Sequence, residues 1–272
     1  MPSSRTTLPA ADEEFTLDAL RGDGLERVAA ALREHGLVRL RCLGGRSEVL
    51  DIAALLMSEL WQHRDADPDG LTVIRDTGRH DGRVGFGGLG RGDLALHTEC
   101  AQLPRPPRLM VLACARAAED GGESLVVDGK AVLAELAASH PAAMEALSAP
   151  RAAYFGGSDG HFAPVLEHLC GGQWRLRLRQ DELARFSAEV QAHLPALRRA
   201  VEHHTSRMRL ACGQALVLDN HRVLHGRTRF TGERLLLRAL GWPRPVLGME
   251  AGFPSPCAAA GPAATAGAAG RG

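Results

Sequence analysis

The chain has 272 residues, 45% of them hydrophobic, enough to bury a full core in one domain of barrel or α/β size. Its 32 Lys and Arg balance its 32 Asp and Glu, which argues against a nucleic-acid coat protein or a polybasic membrane binder. No apolar run nears the roughly 18–20 residues of a membrane span. No secretory signal is visible, and six scattered cysteines without a CxxC pair (Cys42, Cys100, Cys114, Cys170, Cys212, Cys257) point to a reduced, cytoplasmic setting.

Residues 1–11 are polar and aperiodic and are read as a flexible N-terminus. Residues 251–272, ending in PSPCAAAGPAATAGAAGRG, read as a low-complexity tail with little to bury. Between them lies one domain over 12–250. It opens with a helix carrying Leu25, Val28 and Leu32, stopped at Gly36. LVRLR at 37–41 reads as a strand, and 47–61 as a second helix with Val49, Ile52, Ala53, Leu56 and Leu60 on one stripe. Residues 76–93 hold seven glycines and are read as a long loop of the kind that forms lids. GFGGLG at 85–90 has the glycine spacing of a dinucleotide loop but precedes a strand, so it is read as part of that loop.

Strands follow at 94–99, 108–115 and 123–128. Asp128 is placed to cap a helix over 129–139, which Pro141 ends. GGSDG at 156–160 is a further loop. QWRLRLR at 173–179 alternates, with Trp174, Leu176 and Leu178 on one face. A helical stripe then runs from Phe186 to Val201, with Pro195 kinking or breaking it. Segments 207–212, 214–219 and 233–242 read as three more strands. Strands without regular helix alternation argue against a parallel sheet. The fold class is α+β: an antiparallel sandwich or barrel with N-terminal helices and a helical insertion.

His97 and Glu99 lie two apart on a predicted strand, so both side chains share a face. They make two-thirds of an Fe(II) facial triad, and His225 is the candidate third ligand. A bare HxE also reads as a surface ion pair, and His225 alone as a histidine capping a loop. In ERLLLRAL, Arg234, Leu236 and Arg238 share one face and Leu235, Leu237 and Ala239 the other. The arginine face is either a wet outer surface or a cavity wall that clamps carboxylates with planar forks.

HTE at 97–99, GGES at 121–124, DNHRVLHGR at 219–227 and ERLLLR at 233–238 occur in one order. Together they resemble the iron(II)/2-oxoglutarate-dependent dioxygenases of the TauD/TfdA superfamily over 25–243. HTE followed by Cys-Ala is similar to the clavaminate-synthase-like branch, which oxidises amino acids and their derivatives. The interval between His225 and Arg234 is shorter than in the amino-acid oxygenases of that branch.

The resemblance implies a distorted double-stranded β-helix, or jelly roll. It implies His97, Glu99 and His225 as catalytic iron ligands, and Arg234 with Ser124 on the distal carboxylate of 2-oxoglutarate. It implies Arg238 on an anionic group of the substrate. Fe(II), 2-oxoglutarate and O₂ are then required, and 2-oxoglutarate leaves as succinate and CO₂ while a C–H bond is oxidised. The expected partner is a small molecule of specialised metabolism such as antibiotic biosynthesis, free or anchored to a carrier protein, with no nucleic acid and no membrane. A halogenase of this type lacks the carboxylate, so Glu99 implies hydroxylation or another oxidation and not halogenation. A zinc-dependent hydrolase on the same triad and a non-catalytic jelly-roll binder are the rival readings.

Other polar residues receive plainer assignments. Arg227 is expected to pair with Asp219, and Asn220 and His221 to make a turn near the metal, with a supporting role there as the alternative. Arg175, Arg177 and Arg179 are read as a solvated strand face. Asp159 and His161 are candidates to close over the site. Cys100 and Cys114 are expected to pack, His203 and His204 to end a helix where cations are favoured, and Trp174 and Trp242 to anchor the core. The triad predicts that Glu99→Ala abolishes 2-oxoglutarate-coupled turnover, measured as succinate release. A fully active variant would refute it.

Overall fold

The computed structural model describes residues 14–22, 24–41, 45–79 and 84–255. The expected flexible N-terminus, tail residues 256–272, Cys42, Cys257 and loop positions 80–83 lie outside that range. The first half of the chain builds β1 (Glu14–Thr16), α1 (Leu17–Arg21), α2 (Gly24–His35), β2 (Leu37–Arg41) and α3 (Arg46–Leu56). There follow β3 (Met57–Leu60), β4 (Thr72–Arg75), β5 (Leu94–His97), β6 (Leu109–Arg116), β7 (Asp120–Gly121) and β8 (Ser124–Asp128). The insertion holds α4 (Gly129–Ser139), α5 (Pro141–Ser148), β9 (Ala153–Phe155), β10 (His161–Ala163), β11 (Leu166–His168), β12 (Gln173–Leu176), β13 (Ala184–Phe186) and α6 (Ala188–His203). The chain then returns through β14 (Ser206–Met208), β15 (Ala215–Asp219), β16 (Val223–Arg227), β17 (Phe230–Thr231), β18 (Leu235–Pro243) and β19 (Phe253–Pro254).

Two sheets face each other. The larger runs β1-β2-β15-β6-β18-β3, with β4 also paired to β18; the smaller runs β14-β8-β16-β5. Apart from the parallel β1–β2 pair, the strands of both pair antiparallel. Period-two alternation sorts their side chains into separate cores. Inner-facing Met110, Leu112, Leu216, Leu236 and Leu240 meet Val126 and Val223 between the sheets. The outer face of the large sheet buries Val111, Val217, Leu237 and Ala239 against Val28, Leu32, Ile52 and Leu56 of α2 and α3. The outer face of the small sheet buries Val127 and Leu224 under Leu133, Leu136, Leu197 and Val201 of α4 and α6. Helices cover both outer faces, which is why strand β6 reads as a continuous apolar run. This is the α+β jelly roll expected from the sequence.

Several local signals act as read. Gly36 adopts φ +74° after α2, a conformation glycine takes without strain. The Asp128 side chain accepts from the Lys130 N–H at the start of α4. Other boundaries differ. The helix expected over 47–61 ends at Leu56, and 57–60 becomes a strand paired with β18. The strand expected over 94–99 stops at His97, and that over 173–179 at Leu176. Pro141 opens α5 at its first turn, where a missing N–H costs nothing. Pro195 sits inside a continuous α6, whose Val190, Leu197, Ala200 and Val201 are buried. Within the segment read as a tail, Phe253 is buried and pairs with Trp174.

The arginine face over 173–179 is not solvated. Arg177 is 2% exposed, donating to the carbonyls of Ala101, Leu103 and Pro104, while Arg175 pairs with Glu167 and Arg179 with Asp181. Asp219 pairs with Arg108, not Arg227: Arg108 Nη2 lies 2.8 Å from Asp219 Oδ2, both side chains buried. Removing one partner strands a buried charge, so Asp219→Ala is expected to cost about 3–5 kcal/mol in denaturant unfolding.

His221 lies in the turn between β15 and β16, with Nε2–H donating to the Pro106 carbonyl. Burial pushes its imidazole down to about 4. The unfolded chain therefore takes up a proton below about pH 6.5, the folded chain only near pH 4. Protons favour unfolding across that window, so stability falls as pH drops from about 6.5 to about 4. His221→Gln keeps a donor for Pro106 and removes the titration. Its unfolding free energy is expected to depend on pH less steeply, by about one proton, in that window.

Candidate active site

The site lies between the sheets, where a cavity of about 650 Å³ opens among inner-facing polar side chains. β16 is buried along its whole length, and Val223, His225 and Arg227 alternate onto its inner face. His225 is therefore mid-strand. It stands opposite His97, the last residue of β5. Gly226 lets the two strands close: a Cβ there would lie 2.6 Å from the Leu94 carbonyl oxygen.

Glu99 reaches the same point from beyond the strand. Thr98 turns outward and hydrogen-bonds Leu178, and Glu99 follows in a turn. Its Oε1 lies 3.6 Å from His97 Nε2 and 3.4 Å from His225 Nε2, and the imidazole centroids are 4.3 Å apart. His97 Nδ1–H donates to the Ala95 carbonyl, which leaves Nε2 with its lone pair toward the cluster. The structure thus brings together the three residues predicted as ligands, with one donor atom from each within 4.8 Å of the others. Two imidazoles and a carboxylate on one side of a buried point fit a first-row divalent ion such as Fe(II) and leave its remaining positions to the cavity.

The electrostatics favour the ligating forms. Burial raises the Glu99 carboxyl, but Arg238 and the His225 and His97 hydrogen bonds outweigh it and hold the group well below the usual range. Burial, then the neighbouring His97, pushes His225 down to about 4, so its imidazole is neutral at physiological pH. Arg238 sits on the inner face of β18 with Nη1 at 2.5 Å from Glu99 Oε1. The arginine stripe therefore faces the cavity, and Leu237 and Ala239 face the helices.

Arg234 is 8% exposed and, among the described residues, no carboxylate pairs with it. Its guanidinium stands 5.6 Å from the Phe230 ring, and burial lowers its pKa. Gly122 (φ +68°) lies against it: a Cβ there would come within 3.2 Å of Arg234 Cδ and Nε. This is the packing reason for the second glycine of GGES. Ser124, at the start of β8, is buried, lines the same cavity and pairs in register with Arg227.

Arg227 is a cavity residue that the sequence reading placed elsewhere. It donates to the Gly92 carbonyl and stacks on Phe230 at 4.8 Å; burial, then the charge of Arg234, lowers it to about 10. Its alternation with His225 is the signal that was available. His63, Arg179 and Asp181 also line the cavity, as do loop residues of 84–89 and 156–160, Asp159 among them. His161 does not; it bonds the Gln102 carbonyl. Cys100 and Cys114 pack in the core between the sheets, and burial pushes their thiols up to about 12 and about 11. His203 and His204 pair with Glu135, away from the cavity. Trp242 meets Trp61 edge to face.

Solved structures share this architecture. An asparagine oxygenase, in complex with Fe(II), (2S,3S)-3-hydroxyasparagine and succinate, superposes with a TM-score of 0.65 at 20% identity, covering 88% of this chain and 86% of that one. The non-haem iron oxygenase OrfP, in complex with iron and α-ketoglutaric acid, gives a TM-score of 0.64 at 16% identity, covering 87% and 88%. Its complex with iron, succinate and (3S)-hydroxy-L-arginine gives 0.65 at 18%, covering 83% and 84%. The model of the taurine catabolism dioxygenase TauD, TfdA family matches residues 3–240. The chain belongs to this family of iron(II)- and 2-oxoglutarate-dependent dioxygenases.

Proposed function

We propose that this enzyme hydroxylates an amino acid, free or as a derivative, with His97, Glu99 and His225 holding the iron and Arg234 holding 2-oxoglutarate. The observation that carries the reading is the buried Arg234, without a carboxylate partner among the described residues, in the cavity that the two imidazoles and Glu99 face. Burying a guanidinium without a counter-ion is costly unless an anion arrives to pair with it. A dicarboxylate supplies one: its distal carboxylate takes the planar fork of Arg234 and the Ser124 hydroxyl, in a field strengthened by Arg227.

When bound, iron with 2-oxoglutarate and O₂ supplies the oxidation of a C–H bond, with release of succinate and CO₂. The protein's own residues do the rest. Glu99, held ionised, and neutral His225 present ligand atoms without first losing a proton. Apolar Met110, Leu112 and Leu236 line the cavity beside the charged groups and limit water there. Arg238 commits one nitrogen to Glu99, and its Nε has no partner among the described residues. It remains positioned to meet a substrate carboxylate across the cavity. Asp159 in the 156–160 loop, on the cavity wall, is a counterpart for a substrate amine. A substrate of that charge pattern is an amino acid, in keeping with the hydroxylated asparagine and arginine in the asparagine oxygenase and OrfP complexes. Amino-acid hydroxylation of this kind belongs to specialised pathways in a reducing cytoplasm, and the same cavity suits an aminoacyl group on a carrier protein. With Glu99 occupying the carboxylate position, the outcome is oxidation of the substrate and not halogenation.

A zinc hydrolase on the same triad leaves Arg234 and Ser124 without a role. The test is an anaerobic titration of the metal-free protein with Fe(II) and 2-oxoglutarate, followed by a weak visible charge-transfer band. The band is expected in the wild type. Arg234→Ala is expected to weaken 2-oxoglutarate binding about 30-fold or more, the equivalent of losing about 2 kcal/mol from a buried charge pair. Amino acids are then screened for succinate release above the uncoupled rate. Iron binding without a band in the folded wild type would return the hydrolase reading to the front.

A further inference from the structure

Glu99 is a ligand that no strand holds, since β5 ends at His97. What holds it is a side chain. The Glu99 N–H donates to Asn220 Oδ1 at 2.7 Å, and Asn220 Nδ2 donates back to the Glu99 carbonyl at 3.1 Å. One amide thus makes both of the hydrogen bonds that a neighbouring strand would make to that residue. The second Nδ2 hydrogen goes to the Pro107 carbonyl at 2.8 Å, and the Asn220 N–H to the Arg108 carbonyl at 2.6 Å. Only one orientation of the amide satisfies this set, because oxygen must face the N–H and nitrogen the two carbonyls. Asn220 is 1% exposed, so no water substitutes for these partners.

A second observation concerns the residue after the ligand. Cys100 has φ +55°, the one non-glycine residue with positive φ among those described. Such backbone persists only where its surroundings over-determine it. The carbonyl of the peptide linking Glu99 to Cys100 is the one that Asn220 holds. Asn220 itself sits in the β15–β16 turn, five residues before His225 in the chain. The same turn therefore starts the strand that carries one ligand and fixes the backbone of another.

We infer that Asn220 is the positioning residue of the metal centre: it clamps the Glu99 backbone so that the carboxylate meets His97 and His225 across a fixed gap. This rests on the iron reading above. The test measures Fe(II) affinity anaerobically by competition with a chromogenic chelator, alongside urea unfolding of the same samples. Asn220→Ala is expected to weaken iron binding about 10–100-fold, as for other residues that orient ligands. Asn220→Asp, which retains Oδ1 but turns an oxygen on two carbonyls, is expected to do the same and decides the matter if the alanine chain does not fold. His221→Gln, in the same turn but bonded to Pro106 rather than Glu99, is expected to leave iron affinity within about twofold of wild type. Asn220 variants that fold and bind iron as wild type overturn the inference. So does an equal loss in His221→Gln, which would mean a loosened turn and no specific clamp. A wild type that binds no Fe(II) would instead bring down the iron reading itself.

Discussion

One buried oxygen organises the interior. Glu99 Oε1 receives Arg238 at 2.5 Å and faces the Nε2 atoms of His225 and His97 at 3.4 and 3.6 Å. A lone carboxylate is expensive to place between two sheets, and it stays ionised there because cationic and N–H groups surround it. That requirement fixes what the neighbouring strands present. β16 and β5 must supply the imidazoles, and β18 must turn its arginines inward. Apolar packing is most extensive on the outer faces, where helices bury both sheets. The jelly roll is therefore packed in three apolar layers, one outside each sheet and one between them, with the polar cavity opening beside the inner one.

Much of this was legible in the chain because the deciding signals are local. Leu25, Val28 and Leu32 with Gly36 mark a helix and its stop, and Asp128 marks a cap; both act as read. ERLLLRAL placed Arg234 and Arg238 on one face, and that face lines the cavity. What alternation left undecided was which face turns inward, because both are buried. Four motif segments in a shared order settled that question where a single strand pattern did not.

The unread parts depend on distant partners. Nothing near Glu99 says that its strand has ended, since the bonds that hold it come from Asn220, far along the chain. Arg177 looked solvated because its neighbours alternate cleanly. Carbonyls of 101, 103 and 104, invisible in the sequence, bury it. The sequence offered Asp219 as the nearest aspartate to Arg227, whereas Arg108, just before β6, claims Asp219 from the neighbouring strand.

Arg222 connects parts of the molecule that otherwise belong to different layers. Its Nε and Nη2 bind the Asp128 carboxylate that caps α4, and its Nη1 takes the Arg33 and Glu34 carbonyls in the last turn of α2. Fraying of either helix end withdraws partners from the same guanidinium, and Arg222 lies three residues from His225 in the chain. The two helical shells are thus mechanically in series through the strand that bears His225. Loosening on one face of the roll is transmitted to the other, and the molecule behaves as one cooperative unit and not as a barrel with two detachable coats.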